Sequence, residues 1–184
     1  MSRDRSSGAP DGWSEGTPAD WPAAENVPPA ARPPGWTEGA PVHDLADVLR
    51  FDVTPDWIVH NWPRVSTGLA HLPLQGYRVP LVTGTAQDDL AGSLTYYFNP
   101  HQQVQRITFY GTTGNTSKLV NLAVTRFGFT RRLTNDPGVF LYELPDSRGQ
   151  VNSFVWIRPA RVVRATEPYR RFELALLIER PDQQ

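Results

Sequence analysis

Gly111-Thr112-Thr113-Gly114-Asn115-Thr116-Ser117-Lys118 is a glycine-bearing stretch ahead of a helical pattern. Stretches of this kind hold phosphate when backbone N–H groups and a lysine converge on it. A phosphate loop places its lysine after a glycine and directly before Ser or Thr. Here Thr116-Ser117 precede Lys118, so the order fails. The expected role is a turn at Gly111–Gly114 followed by a helix capped by Asn115 or Thr116.

A second group is basic and aromatic. Trp156, Arg158, Arg161, Arg164, Tyr169, Arg170 and Arg171 lie close in sequence, with Arg131 and Arg132 as possible neighbours in space. Guanidinium groups interleaved with rings hold anions, acidic peptides or single-stranded nucleic acid. Arg158, Arg161, Arg164, Arg170 and Arg171 are the anion-binding candidates. The competing expectation is solvent-facing strand residues that pair with Glu143, Glu167, Glu173 and Glu179. Seventeen of the eighteen basic residues are arginine, so the enrichment extends beyond this stretch.

A third group is made of tryptophans. Gly12-Trp13-Ser14-Glu15-Gly16-Thr17-Pro18 is echoed by Gly35-Trp36-Thr37-Glu38-Gly39-Ala40-Pro41, with Trp21 between them. Tryptophan is common at binding hot spots. Trp13, Trp21 and Trp36 are therefore the partner-binding candidates, weighed against chance similarity in a biased segment.

No catalytic set stands out. His43, His60, His71 and His101 form neither HxH nor HExxH, so no metal site is expected. Ser66 and Ser93 lie outside any GxSxG context. Asp88-Asp89 with His71 or Glu143 is an acid–base set only if the fold brings them together. With no cysteine, disulfides, thiolate metal sites and cysteine nucleophiles are excluded. No cofactor is implied.

These residues need elements to position them. Leu94, Tyr96 and Phe98 alternate along one strand, and Ile107 and Phe109 along a second. Asn99-Pro100-His101-Gln102-Gln103 joins them, which predicts an antiparallel hairpin. Leu119, Val120, Ala123, Val124 and Phe127 recur at helical spacing and predict a helix over 116–127 lying across it, with Gly128 as left-handed cap. Upstream, Leu45, Val48 and Leu49 predict a short helix, and Thr54-Pro55-Asp56 starts another. Pro80 predicts an edge or bulge within the strand Tyr77–Val82. Turns at Asn135–Gly138 and Pro145–Gly149 separate later strands at 129–133, 139–144, 151–157 and 169–180. Helices early, one helix in the middle and strands at the end give an α+β class with an antiparallel sheet.

Residues 1–43 carry eight of the eighteen prolines and no apolar periodicity, which predicts a disordered N-terminal tail. Residues 44–181 are expected to form a single α+β domain. No run approaches the ~18 apolar residues of a membrane span, and the start lacks the apolar core of a signal peptide, so a cytoplasmic protein is expected. The net charge of −1 argues against a nucleic-acid partner.

Trp62-Pro63-Arg64-Val65-Ser66-Thr67, Gln75-Gly76-Tyr77-Arg78-Val79-Pro80-Leu81 and Asp89-Leu90-Ala91-Gly92-Ser93-Leu94-Thr95-Tyr96-Tyr97-Phe98 resemble an uncharacterised conserved protein family of planctomycete-type bacteria. The likeness covers about residues 44–181 and implies a domain with no known activity. The hairpin-plus-helix arrangement is also similar to the small α+β fold of outer-membrane assembly lipoproteins, but the signal peptide and lipid-bearing cysteine are missing. The expected function is a noncatalytic protein-interaction module whose partner is another protein. One alternative is a small-ligand protein or enzyme with a pocket lined by Tyr96, Phe98, Phe109 and Tyr110. The other is a weak RNA or anion binder using the Arg-rich strands.

Overall fold

The computed structural model describes residues 42–69, 74–163 and 170–181. The chain divides into two units, Met1–Glu38 and Gly39–Gln184, and the second carries every element below. It opens with two short helices whose starts follow from local chemistry. The Asp44 side chain accepts a hydrogen bond from the Ala46 N–H at the start of α1 (Leu45–Val48). Thr54 Oγ1 accepts from the Trp57 N–H, and Pro55 occupies the first position of α2 (Pro55–Asn61). Both caps occupy N–H groups that the first helical turn leaves without a partner.

Eight strands follow in one sheet. They are β1 (Ser66–Leu69), β2 (Gln75–Val82), β3 (Leu90–Phe98), β4 (Val104–Thr113), β5 (Thr130–Arg132), β6 (Phe140–Pro145), β7 (Val151–Pro159) and β8 (Phe172–Glu179). Between β4 and β5 lies α3 (Ser117–Leu122), which widens into a π-helical turn over Ala123–Phe127. Gly128 ends it at φ 79°, as a left-handed cap. The strand order is β1-β2-β3-β4-β8-β7-β6-β5, and all neighbours are antiparallel. Two four-stranded meanders therefore meet where β4 pairs with β8. The α+β class, the antiparallel sheet and the helix against the hairpin are as the sequence predicts.

Alternation decides which face is inside. Leu94, Tyr96 and Phe98 of β3, Ile107 and Phe109 of β4, Leu174, Leu176 and Ile178 of β8, and Val155 and Ile157 of β7 are all buried. Cross-strand register puts them on one face: Leu94 opposes Phe109, Phe109 opposes Leu176, and Leu176 opposes Val155. The helices cover this face. The Tyr96 hydroxyl donates to the Val48 carbonyl at 2.5 Å, and Trp62 Nε1 donates to the Pro80 carbonyl at 2.8 Å. Leu119 and Ala123 join the same core, and the Arg126 guanidinium bonds the Ala46 carbonyl.

Four details depart from or refine the sequence reading. Gly111 is not in a turn; β4 runs through it to Thr113. It lies opposite Gly92, where an added Cβ would fall 2.2 Å from the Tyr110 carbonyl oxygen, so the strands approach closely there. The expected continuous helix over 116–127 starts one residue later and loses its α spacing at Ala123. β1 has no apolar alternation and gave no signal. It pairs with β2 only as far as Arg78, so Pro80 does lie on an open edge. No helix among the described residues is long and apolar enough to cross a membrane.

Candidate interaction face

The opposite face of the sheet carries no helix among the described residues. Its composition follows from the registers already given. One row across the sheet reads Arg78, Thr95, Thr108, Leu177, Phe154, Glu143, Thr130. The next reads Pro80, Ser93, Tyr110, Ala175, Trp156, Leu141, Arg132. Small residues fill the middle and are buried between larger neighbours: Thr95, Thr108 and Ala175. Tyr97, Leu177, Phe154, Trp156 and Leu141 are half-buried.

Three arginines on this face are tied to glutamates, and Arg78 at its β2 end is exposed. Arg106 Nε donates to Glu179 Oε1 at 2.6 Å, Arg158 to Glu173 Oε2 at 2.6 Å, and Arg132 Nε to Glu143 Oε2 at 3.0 Å. Two of these guanidinium groups also lie over rings, Arg106 over Tyr97 at 5.9 Å and Arg158 over Trp156 at 5.1 Å. The pairing with Glu143, Glu173 and Glu179 is the competing pattern the sequence offered for the arginines.

The five anion-binding candidates are placed unevenly. Arg158 projects from the sheet face and is held by Glu173. Arg161, Arg170 and Arg171 are exposed in the β7–β8 connection, where the Ala160 N–H donates to the Arg171 carbonyl at 2.8 Å. Arg164 lies outside the described residues, as do Trp13, Trp21, Trp36 and His71. Arg131 points to the helical face, its guanidinium 5.2 Å from the centroid of the Phe140 ring. Of the described arginines, Arg158 is paired and Arg131 lies on the other face, whereas Arg161, Arg170 and Arg171 are exposed in one connection.

The glycine-loop lysine has a definite partner. Lys118 Nζ bonds Asp89 Oδ1 at 2.8 Å; Thr83 Oγ1 donates to the same oxygen at 2.9 Å, and the Ala86 N–H to Oδ2 at 2.8 Å. Thr113 Oγ1 sits against the Asp89 carbonyl at 2.8 Å. Burial works to raise the Asp89 pKa, but the hydrogen bonds from Lys118, Ala86 and Thr83 hold it below the ordinary carboxylate value. The Asp89 hydrogen bond correspondingly raises Lys118. This is a latch between the β2–β3 loop and the start of α3. The cleft beside it, about 400 Å³, is lined by Asp44 and Asp88 as well as Lys118, Ser117 and Asn121. Two further carboxylates make it a poor home for phosphate.

The other chemical candidates separate in space. Glu143 belongs to the far half of the sheet and pairs with Arg132, away from Asp89. Tyr96, Phe98 and Phe109 are core, whereas Tyr110 lies on the opposite face, so these four do not line a common pocket. Among the described residues no group of three or more His, Asp or Glu is arranged to hold a metal ion. The latch was missed in the sequence: Asp89 and Lys118 are twenty-nine residues apart, and only the acidic pair Asp88-Asp89 and the single lysine hinted at it.

A sequence model for a family of unknown function (DUF6690) matches residues 3–184. The chain belongs to that family. The match extends the expected 44–181 likeness, since the family's span includes the proline-rich N-terminal segment and its three tryptophans. No curated protein and no solved structure matches the chain.

Proposed function

We propose that the chain is a noncatalytic protein-interaction module, which binds another protein through the helix-free face of its sheet and through Trp13, Trp21 and Trp36. The observation that supports it is the chemistry of that face. Its Arg106, Arg132 and Arg158 pair with glutamates, which leaves half-buried aromatic and aliphatic groups, with Arg78 at one end, as the distinctive surface. Aromatic residues with arginine are enriched where proteins meet, and paired rim charges favour register over anion capture. The tryptophan segment is supported by its inclusion in the family's span. A planctomycete-type bacterial source rests on the sequence resemblance, and a cytoplasmic setting on the absence of a long apolar run and of a signal-peptide core.

The test compares Phe154→Arg, Trp13→Ala with Trp36→Ala, and the native chain as bait in host extract. A captured protein is then purified and its affinity measured directly. Phe154→Arg is expected to weaken binding by about tenfold or more while leaving the melting temperature nearly unchanged. Affinity unaltered by both sets of substitutions overturns the proposal.

A further inference from the structure

His43 lies where the proline-rich segment joins the sheet. Its backbone N–H donates to the Val82 carbonyl at 3.1 Å, and Val42 beside it forms an isolated parallel bridge to Val82. This is the edge of β2 that β1 leaves uncovered. The imidazole rests on Trp62, with ring centroids 4.3 Å apart and planes inclined by 32°. Trp62 is in turn fixed by burial and by its bond to the Pro80 carbonyl. One stack and one backbone bond therefore seat residues 42–43.

The ring has an unusual position for a titratable group. Its Nε2 atom is buried and has no hydrogen-bond partner. A neutral imidazole accommodates this, because one of its nitrogens carries no hydrogen. An imidazolium carries a hydrogen on both, and a charged donor buried without an acceptor is costly. Stacking acts in the opposite direction, since a cation over an indole gains up to about 2 kcal/mol. Among the described residues, the groups in contact with the ring supply no charge to offset the burial. Trp62 at the end of α2 and Val82 of β2 are uncharged, and the Asp44 carboxylate is engaged by the Ala46 N–H of α1. Burial depresses the His43 pKa, with no charged neighbour contributing.

We propose that His43 is an acid-sensitive clasp, whose protonation unseats residues 42–43 from the open edge of β2. The sign follows from linkage. The seated ring takes a proton less readily than the released one, so the clasp is at full strength above the ordinary histidine value of about 6.5. It weakens as pH falls from there toward the lower, seated value. Each pH unit across that window reduces the seated-to-released ratio by about tenfold.

The test is a pH titration of the full chain by NMR, following the four histidine rings and the amide exchange of His43. Changes at His60, His71 and His101 to Gln assign the rings, and His43→Phe keeps the stack without the charge. His43 is expected to titrate below the ordinary histidine value of about 6.5. The His43 amide loses protection by about tenfold per pH unit in that window, corrected for intrinsic exchange. Leu94 stays protected, and His43→Phe keeps the amide of residue 43 protected throughout. A His43 pKa at or above about 6.5 means that stacking wins, and overturns the proposal. An equal acid loss in His43→Phe overturns it too. If that variant fails to fold, the titration of the native ring still decides.

Discussion

The meanders β1–β4 and β5–β8 take the same antiparallel path, but they are finished differently. In the first, Val79, Leu81, Leu90, Leu94, Tyr96 and Phe98 are buried beneath Trp62 and the early helices. In the second, β8 and β7 match this near the centre, with Leu174, Leu176, Val155 and Ile157 all buried. Farther out the seal weakens. Phe140, Tyr142 and Leu144 of β6 are only partly buried, and every residue of β5 is exposed. The helical contacts explain the gradient, since Tyr96, Pro80 and Asp89 take the bonds to helical segments. Stability is therefore expected to reside in the centre and the first meander.

The sharpest way to break that contrast is Trp62→Ala. It empties a large core site and leaves the Pro80 carbonyl without its indole donor, so a loss of about 3–5 kcal/mol is expected in urea unfolding. Asp89→Asn comes next, at about 1–3 kcal/mol, because the latch loses its ionised acceptor. Here pH gives an independent check. Asp89 is held below the ordinary carboxylate value, so its contribution is full above about pH 4 and is lost as pH falls through the lowered value. Unfolding measured between pH 5 and about pH 2 should show a flatter acid slope in Asp89→Asn than in the native chain. Phe140→Ala, in the thinly covered half, is expected to cost least, about 1–2 kcal/mol. If it matches Trp62→Ala, the two halves are equally sealed and the comparison fails.

Local chemistry was legible where one segment contains both the signal and its partner. Thr54-Pro55 announced α2, the alternation of Leu94, Tyr96 and Phe98 announced β3, and Gly128 announced the end of the π-helical turn. Nothing local marks β1, because Ser66-Thr67-Gly68-Leu69 gains its strand character by pairing with Gln75–Arg78. Gly111 read as a turn because the reason for glycine is Gly92, on the neighbouring strand. The split of the arginines between faces likewise depends on register, which a one-residue shift would reverse. Arg131 and Arg132 are adjacent in sequence, yet one lies over Phe140 and the other bonds Glu143.

The β4–β8 seam also has a temporal meaning. Arg106 and Glu179 are bonded across seventy-three residues, so the middle of the sheet is closed by the last of its eight strands. A ribosome delivers β1 to β4 first, and the outer edge of β4 then stands without its neighbour until residues 172–179 emerge. Contacts between distant segments slow folding, and an open strand edge invites pairing with other chains. The ten residues of β4 thus form an open edge in the nascent protein and lie at the middle of the sheet in the finished one.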